Sequence, residues 1–207
     1  PSVPPSLHTA IRWFLLATAA RRIRRTGNKH STMLIHTSML GRAHEKLAEV
    51  VSEAIEAERQ ALGTEEWLDD LRLLWEAEKN SVDPSEFGNA PVSFDEISSE
   101  LGGVLNDVSL VIDNYRSSDR LHYGESPKVV VVIGGNTLSR GLTLEGLVVS
   151  YFVRASNAYD SLLQMGRWFG YRVGYEDLQR IWMTDELNEF FVDLATVEEE
   201  FRQFVQQ

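Results

Sequence analysis

Lys128 to Arg172 reads KVVVVIGGNTLSRGLTLEGLVVSYFVRASNAYDSLLQMGRWFGYR, and the fold follows from it. Val129 to Ile133 are consecutive β-branched residues with no polar alternation, the pattern of a strand covered on both faces in a parallel α/β sheet. The run ends in a polar, glycine-rich turn, Gly134-Gly135-Asn136-Thr137-Leu138-Ser139-Arg140-Gly141. Open α/β sheets bind ligands at the carboxyl ends of their strands, where this turn falls. A second apolar run, Leu147 to Val153, is followed by Ser156-Asn157. These can cap a helix carrying Gln164, Gly166, Arg167 and then Arg172. Two buried strands therefore deliver polar and cationic groups to one rim.

The remaining elements are read outward from this centre. Pro1 to Ser6 is a linker with three prolines, and Leu7 to Arg25 follows helical spacing until Gly27 stops it. Thr32 to His36 is a short apolar strand, followed by Thr37-Ser38 and a helix from about Arg42 to Ala61. Glu65 to Asn80 is an amphipathic helix with Trp67, Leu71 and Trp75 on one stripe, a packing surface rather than a cofactor box. Ser81 to Val92 is a loop. Phe94 to Leu105 is a helix, with Ser93 and Glu96 spaced as a capping box. Val108 to Ile112 and Leu178 to Met183 complete the strands, and a last helix covers Glu186 to Phe204. No internal repeat or low-complexity tract interrupts this order. The expectation is an α/β, three-layer parallel sheet flanked by helices. Residues 1–31 would form a linker and basic helix, and 32–207 the main domain with a helical insertion at about 62–106.

Composition narrows the function classes. There is no cysteine, so disulfides and thiolate metal sites are excluded. That agrees with a reducing, cytoplasmic setting, and no apolar stretch is long enough to span a bilayer. The chain opens Pro1-Ser2 without Met, which reads as a fragment excised from a longer protein. Net charge is −11, but residues 1–46 hold eight Lys/Arg against one acid, Glu45, and the rest holds twelve against thirty. Arg21-Arg22-Ile23-Arg24-Arg25 is then either a solvated helix end with cations suited to its dipole, or a nucleic-acid phosphate contact.

Nucleotide chemistry is constrained by what the motifs lack. A P-loop needs GxxxxGK[ST], and neither Gly134-Gly135-Asn136-Thr137 nor Gly27-Asn28-Lys29-His30-Ser31 satisfies it. No Asp-Glu pair ends a strand as a Mg²⁺ site would. A metal-dependent nuclease core is poorly matched, since Glu125-Ser126-Pro127-Lys128 has the wrong spacing after Asp113. The histidines give no metal-ligand spacing apart from His36/His44, which straddle a strand and a helix, so no metal site is expected.

Thr137-Leu138-Ser139-Arg140-Gly141-Leu142-Thr143 resembles motif V of superfamily-two helicases, and Gln164-Met165-Gly166-Arg167 with Arg172 resembles motif VI. The wording is closer still to the Z-one domain of prokaryotic helicase-like and endonuclease-like proteins, across roughly Thr32 to Thr184. Two positions depart from the helicase pattern. Thr143 stands where an Asp is usual, and Arg172 follows Arg167 by five residues rather than three. The resemblance implies a carboxyl-terminal RecA-like lobe of an ATP-hydrolysing, DNA-binding protein with restriction or defence associations. It implies catalytic roles for Arg167 and Arg172 as arginine fingers, which neutralise charge on a transferring phosphoryl group.

The same resemblance puts Arg140, Gly141, Thr143 and Gln164 at the cofactor cleft, and Thr37, Ser38 and Thr137 on the nucleic-acid backbone. ATP with Mg²⁺ would be held mainly by an N-terminal lobe of the same protein. DNA and a nuclease or methylase would be partners, and a membrane would not. Simpler readings stand beside these. Arg167 and Arg172 could pair with Asp160, Glu176 or Asp177, and Thr37 and Ser38 could merely cap a helix. Trp168, Phe169 and Tyr171 could be core, and Glu145 a lobe contact. The lobe could also have lost catalysis and serve as a DNA- or partner-binding module.

Overall fold

Val129–Gly134 (β3) lies inside a five-stranded sheet, as its unbroken apolar run requires. The computed structural model describes residues 3–37, 41–113, 123–134, 144–153 and 173–205. The elements ahead of β3 are α1 (Pro5–Arg24), β1 (Ser31–His36), α2 (Gly41–Ala61), α3 (Glu65–Glu78), α4 (Phe94–Asp107) and β2 (Val108–Asp113). After it come β4 (Leu147–Phe152), β5 (Arg180–Trp182) and α5 (Asp185–Val205). The strand order is β2-β3-β1-β4-β5, and every pairing is parallel.

Local chemistry explains the helix starts. Thr64 accepts the Trp67 N–H at the head of α3. Ser93 and Glu96 exchange bonds at the head of α4, the expected capping box. Pro at the first turn suits α1, where no N–H is needed. The last strand is shorter than the apolar run suggests, because Glu176–Leu178 forms a 3₁₀ turn that delays pairing until Arg180.

Alternate strand residues divide the core in two. Met33, Ile35, Val131 and Ile133 join α1, α2, α3 and α4 on one face. Leu34, Val130, Val132 and Phe152 meet Leu187 of α5 on the other. Helix α1 is buried almost all round from Leu7 to Arg21, as a helix without a polar face must be. It shares one hydrophobic core with the sheet and with the 62–106 helices. Trp13 stacks on Trp75 of α3 at 5.5 Å, and its indole N–H donates to the Leu178 carbonyl at 2.9 Å.

Among the described residues, no helix is long and apolar enough to cross a membrane.

Candidate functional site

The carboxyl ends of three strands finish in step. His36 is in register with Gly134 of β3 on one side and Phe152 of β4 on the other. The Thr37 N–H donates to the Gly134 carbonyl at 3.0 Å, and the Val153 N–H to the His36 carbonyl at 2.9 Å. From β1 the chain travels to β2, two places to one side, whereas β3 and β4 each continue toward the other side. In open α/β sheets, ligands usually bind beyond the strand ends at such a reversal of direction.

Gly134 and Phe152 are also where the two motif-bearing segments begin, so both leave the sheet beside the same strand end. Ser38, Thr137, Arg140, Gly141, Thr143, Gln164, Arg167 and Arg172 themselves lie outside the described residues. Thr37 is described. It is buried, and its N–H donates to the Gly134 carbonyl, so that N–H is not free to meet an anion.

His36, one of the His36/His44 pair that straddles β1 and α2, lies at this edge. It is 5% exposed, its ring lies 5.5 Å from that of Phe152, and its Nδ1 has no hydrogen-bond partner among the described residues. Burial pushes its pKa down to about 4, with the neighbouring His44 adding to the shift. At neutral pH it is therefore an uncharged imidazole. No group of three His, Asp or Glu that could hold a metal ion occurs among the described residues.

Of the carboxylates that could pair with the motif arginines, Asp160 lies outside the described residues, whereas Asp177 and Glu176 have other partners. Asp177 is held in a two-bond fork by Arg24, at 2.7 and 2.8 Å. Glu176 accepts from Asn89 at 3.0 Å and from the Gly174 N–H at 2.9 Å. Glu145 accepts from Asn28 at 2.9 Å, within the same body.

The cluster Arg21 to Arg25 is not simply a solvated helix end. Arg21 is buried and donates to the carbonyls of Asn28, His30 and Gly146 and to the Ser31 hydroxyl, with its guanidinium 3.8 Å from the Tyr175 ring centre. One signal for this was present. Arg21 follows Leu7 and Phe14 at seven-residue steps, so it lies on the same side of α1 as those two apolar residues.

These features define a parallel α/β domain whose strand order reverses direction after β1. The family model described as the Z1 domain matches residues 6–207, nearly the whole chain, and the protein belongs to that family. No curated protein and no solved structure matches it.

Proposed function

We propose that this chain is the carboxyl-terminal lobe of a superfamily-two-type, nucleic-acid-dependent ATPase, a RecA-like partner to a lobe that carries the P-loop. The setting would be cytoplasmic, in a restriction or defence protein acting on DNA with a nuclease or methylase. In this reading ATP and Mg²⁺ are held mainly by the N-terminal lobe. Arg167 and Arg172 supply positive charge to the transferring phosphoryl group, and Thr37, Ser38 and Thr137 touch the nucleic-acid backbone. Arg140, Gly141, Thr143 and Gln164 line the cleft between lobes.

One observation carries the reading. Glu176 and Asp177, two of the possible partners of the motif arginines, have hydrogen bonds with Asn89, Gly174 and Arg24. Two of the three carboxylates that could pair with Arg167 and Arg172 are thereby engaged elsewhere, which favours an anion brought by another body. The register of His36 with Gly134 and Phe152 adds that both motif segments start at one rim.

The test is Arg167→Ala in the protein that contains both lobes. Nucleic-acid-stimulated ATP turnover should fall by about a thousandfold, with the melting temperature unchanged. Undiminished turnover would discard the arginine-finger role and leave a catalytically inactive binding module.

A further inference from the structure

We infer that a basic groove at the opposite edge of the sheet binds the phosphodiester backbone of nucleic acid without reading its sequence. The groove has a volume of about 680 Å³ and crosses the amino ends of β1, β3 and β2, between the last turns of α1 and α4. Among the described lining residues five are cations, Arg21, Arg22, Arg25, Lys29 and Lys128, against one acid, Asp107. In a chain of net charge −11, such a concentration of one sign is not a generic surface.

The cations divide by role. Arg21 is locked into the carbonyls around it and braces the turn from Asn28 to Ser31, so it contributes field rather than a free donor. Lys29 reaches the Glu125 carbonyl, and Arg22 pairs with Asp107 at the groove wall. Arg25 is exposed, and Lys128 is half-buried at the entry to β3. No described carboxylate pairs with either. The Lys128 main chain is tied to β1 by its carbonyl, which accepts the Ser31 N–H at 2.8 Å, and by its N–H to His30 Nδ1 at 3.2 Å. Two unneutralised cations on a braced frame suit a ligand with repeated negative charge.

The chemistry favours phosphates. Guanidinium forks and ammonium groups are the standard donors to phosphate oxygens, and such contacts set register only. No aromatic side chain is among the described lining residues, so nothing there offers a stacking platform for bases. Three adjacent strand ends span about 10 Å, room for more than one phosphate of a strand. The groove lies about 16 Å from the His36 edge along the strands and uses none of the arginines invoked there.

Fluorescence anisotropy of the chain with a labelled, mixed-sequence single strand provides the test. Affinity should fall between about 50 and 200 mM salt and be indifferent to sequence. Arg25→Ala with Lys128→Ala should weaken binding about tenfold and reduce the salt slope by about 1.4, two phosphate contacts' worth. Asp107→Asn, which frees Arg22, should instead tighten binding severalfold, so the test does not depend on loss alone. Unchanged affinity and slope in both variants would overturn the proposal. So would equal binding of poly-glutamate, which would assign the groove to acidic protein. Loss of ATP turnover in Arg167→Ala would leave this binding untouched, so the two readings fail separately.

Discussion

The Arg24 guanidinium grips the Asp177 carboxylate side on, Nη1 to Oδ1 at 2.7 Å and Nη2 to Oδ2 at 2.8 Å, across 153 positions of sequence. Both side chains are nearly shut off from water, at 3% and 5% exposure, and Asn89 donates a further bond to Oδ1 at 2.8 Å. The fork pins the end of α1 to the 3₁₀ turn before β5. Removing one partner strands a buried charge. Arg24→Ala should therefore cost about 3–5 kcal/mol in urea unfolding. A loss below about 1 kcal/mol would mean that the pair behaves like a surface contact.

Gly146 precedes β4 with φ of 64°, a left-handed conformation that side chains rarely adopt. A Cβ there would stand 1.7 Å from the His30 carbonyl oxygen, and its neighbour across the gap is Arg21. The Gly146 carbonyl also accepts the Thr32 N–H at 2.8 Å, setting the start of the β1–β4 pairing. Gly146→Ala must shift backbone at the sheet's centre. It should lower the melting temperature severely or prevent soluble expression. A variant that melts within a few degrees of the parent would show that the strand entry is more plastic than this.

His36 makes stability depend on pH, and the sign follows from its low folded-state pKa of about 4. The unfolded chain, with an ordinary histidine pKa, binds a proton that the folded chain refuses. Stability is then full above the unfolded value and is lost as pH falls toward 4. Between pH 7.5 and pH 5 the loss attributable to His36 is about 2 kcal/mol. His30, also lowered by burial, acts in the same direction. Urea titrations at the two pH values should show a smaller drop for His36→Gln than for the parent. An identical drop would remove His36 from the account.

Glu58 is a buried carboxylate at 2% exposure with three donors. Its Oε1 takes Arg12 Nε at 2.9 Å and His8 Nε2 at 2.7 Å, and its Oε2 takes the Trp67 indole N–H at 2.6 Å. Glu58→Ala leaves these donors without their acceptor and should cost about 3 kcal/mol. Trp67, now open to water, should shift its emission to longer wavelength. No change in either would mean that the three elements are held together by apolar packing alone.

Element positions were legible because their signals are local. The unbroken run Val129 to Ile133 announced a doubly covered strand, and Ser93 with Glu96 announced a helix start; both are seen. Arg21 and Glu58 were not read as core because charge usually marks a solvated face. Yet Glu58 follows Val51 and Ile55 at helical steps, just as Arg21 follows Phe14. What makes such burial tolerable is a set of partners distant in sequence, and spacing carries no record of them.

Among the described residues, the sequence alone thus settled where strands and helices lie and that the sheet is parallel, since periodicity and capping act within a few positions. Strand order was decided only by the folded chain. β1 sits between β3 and β4 because Gly146 lets the main chain approach His30 and because α1 fills the space beneath β4. These are contacts between segments more than a hundred residues apart, and their energy exists only once both surfaces are assembled.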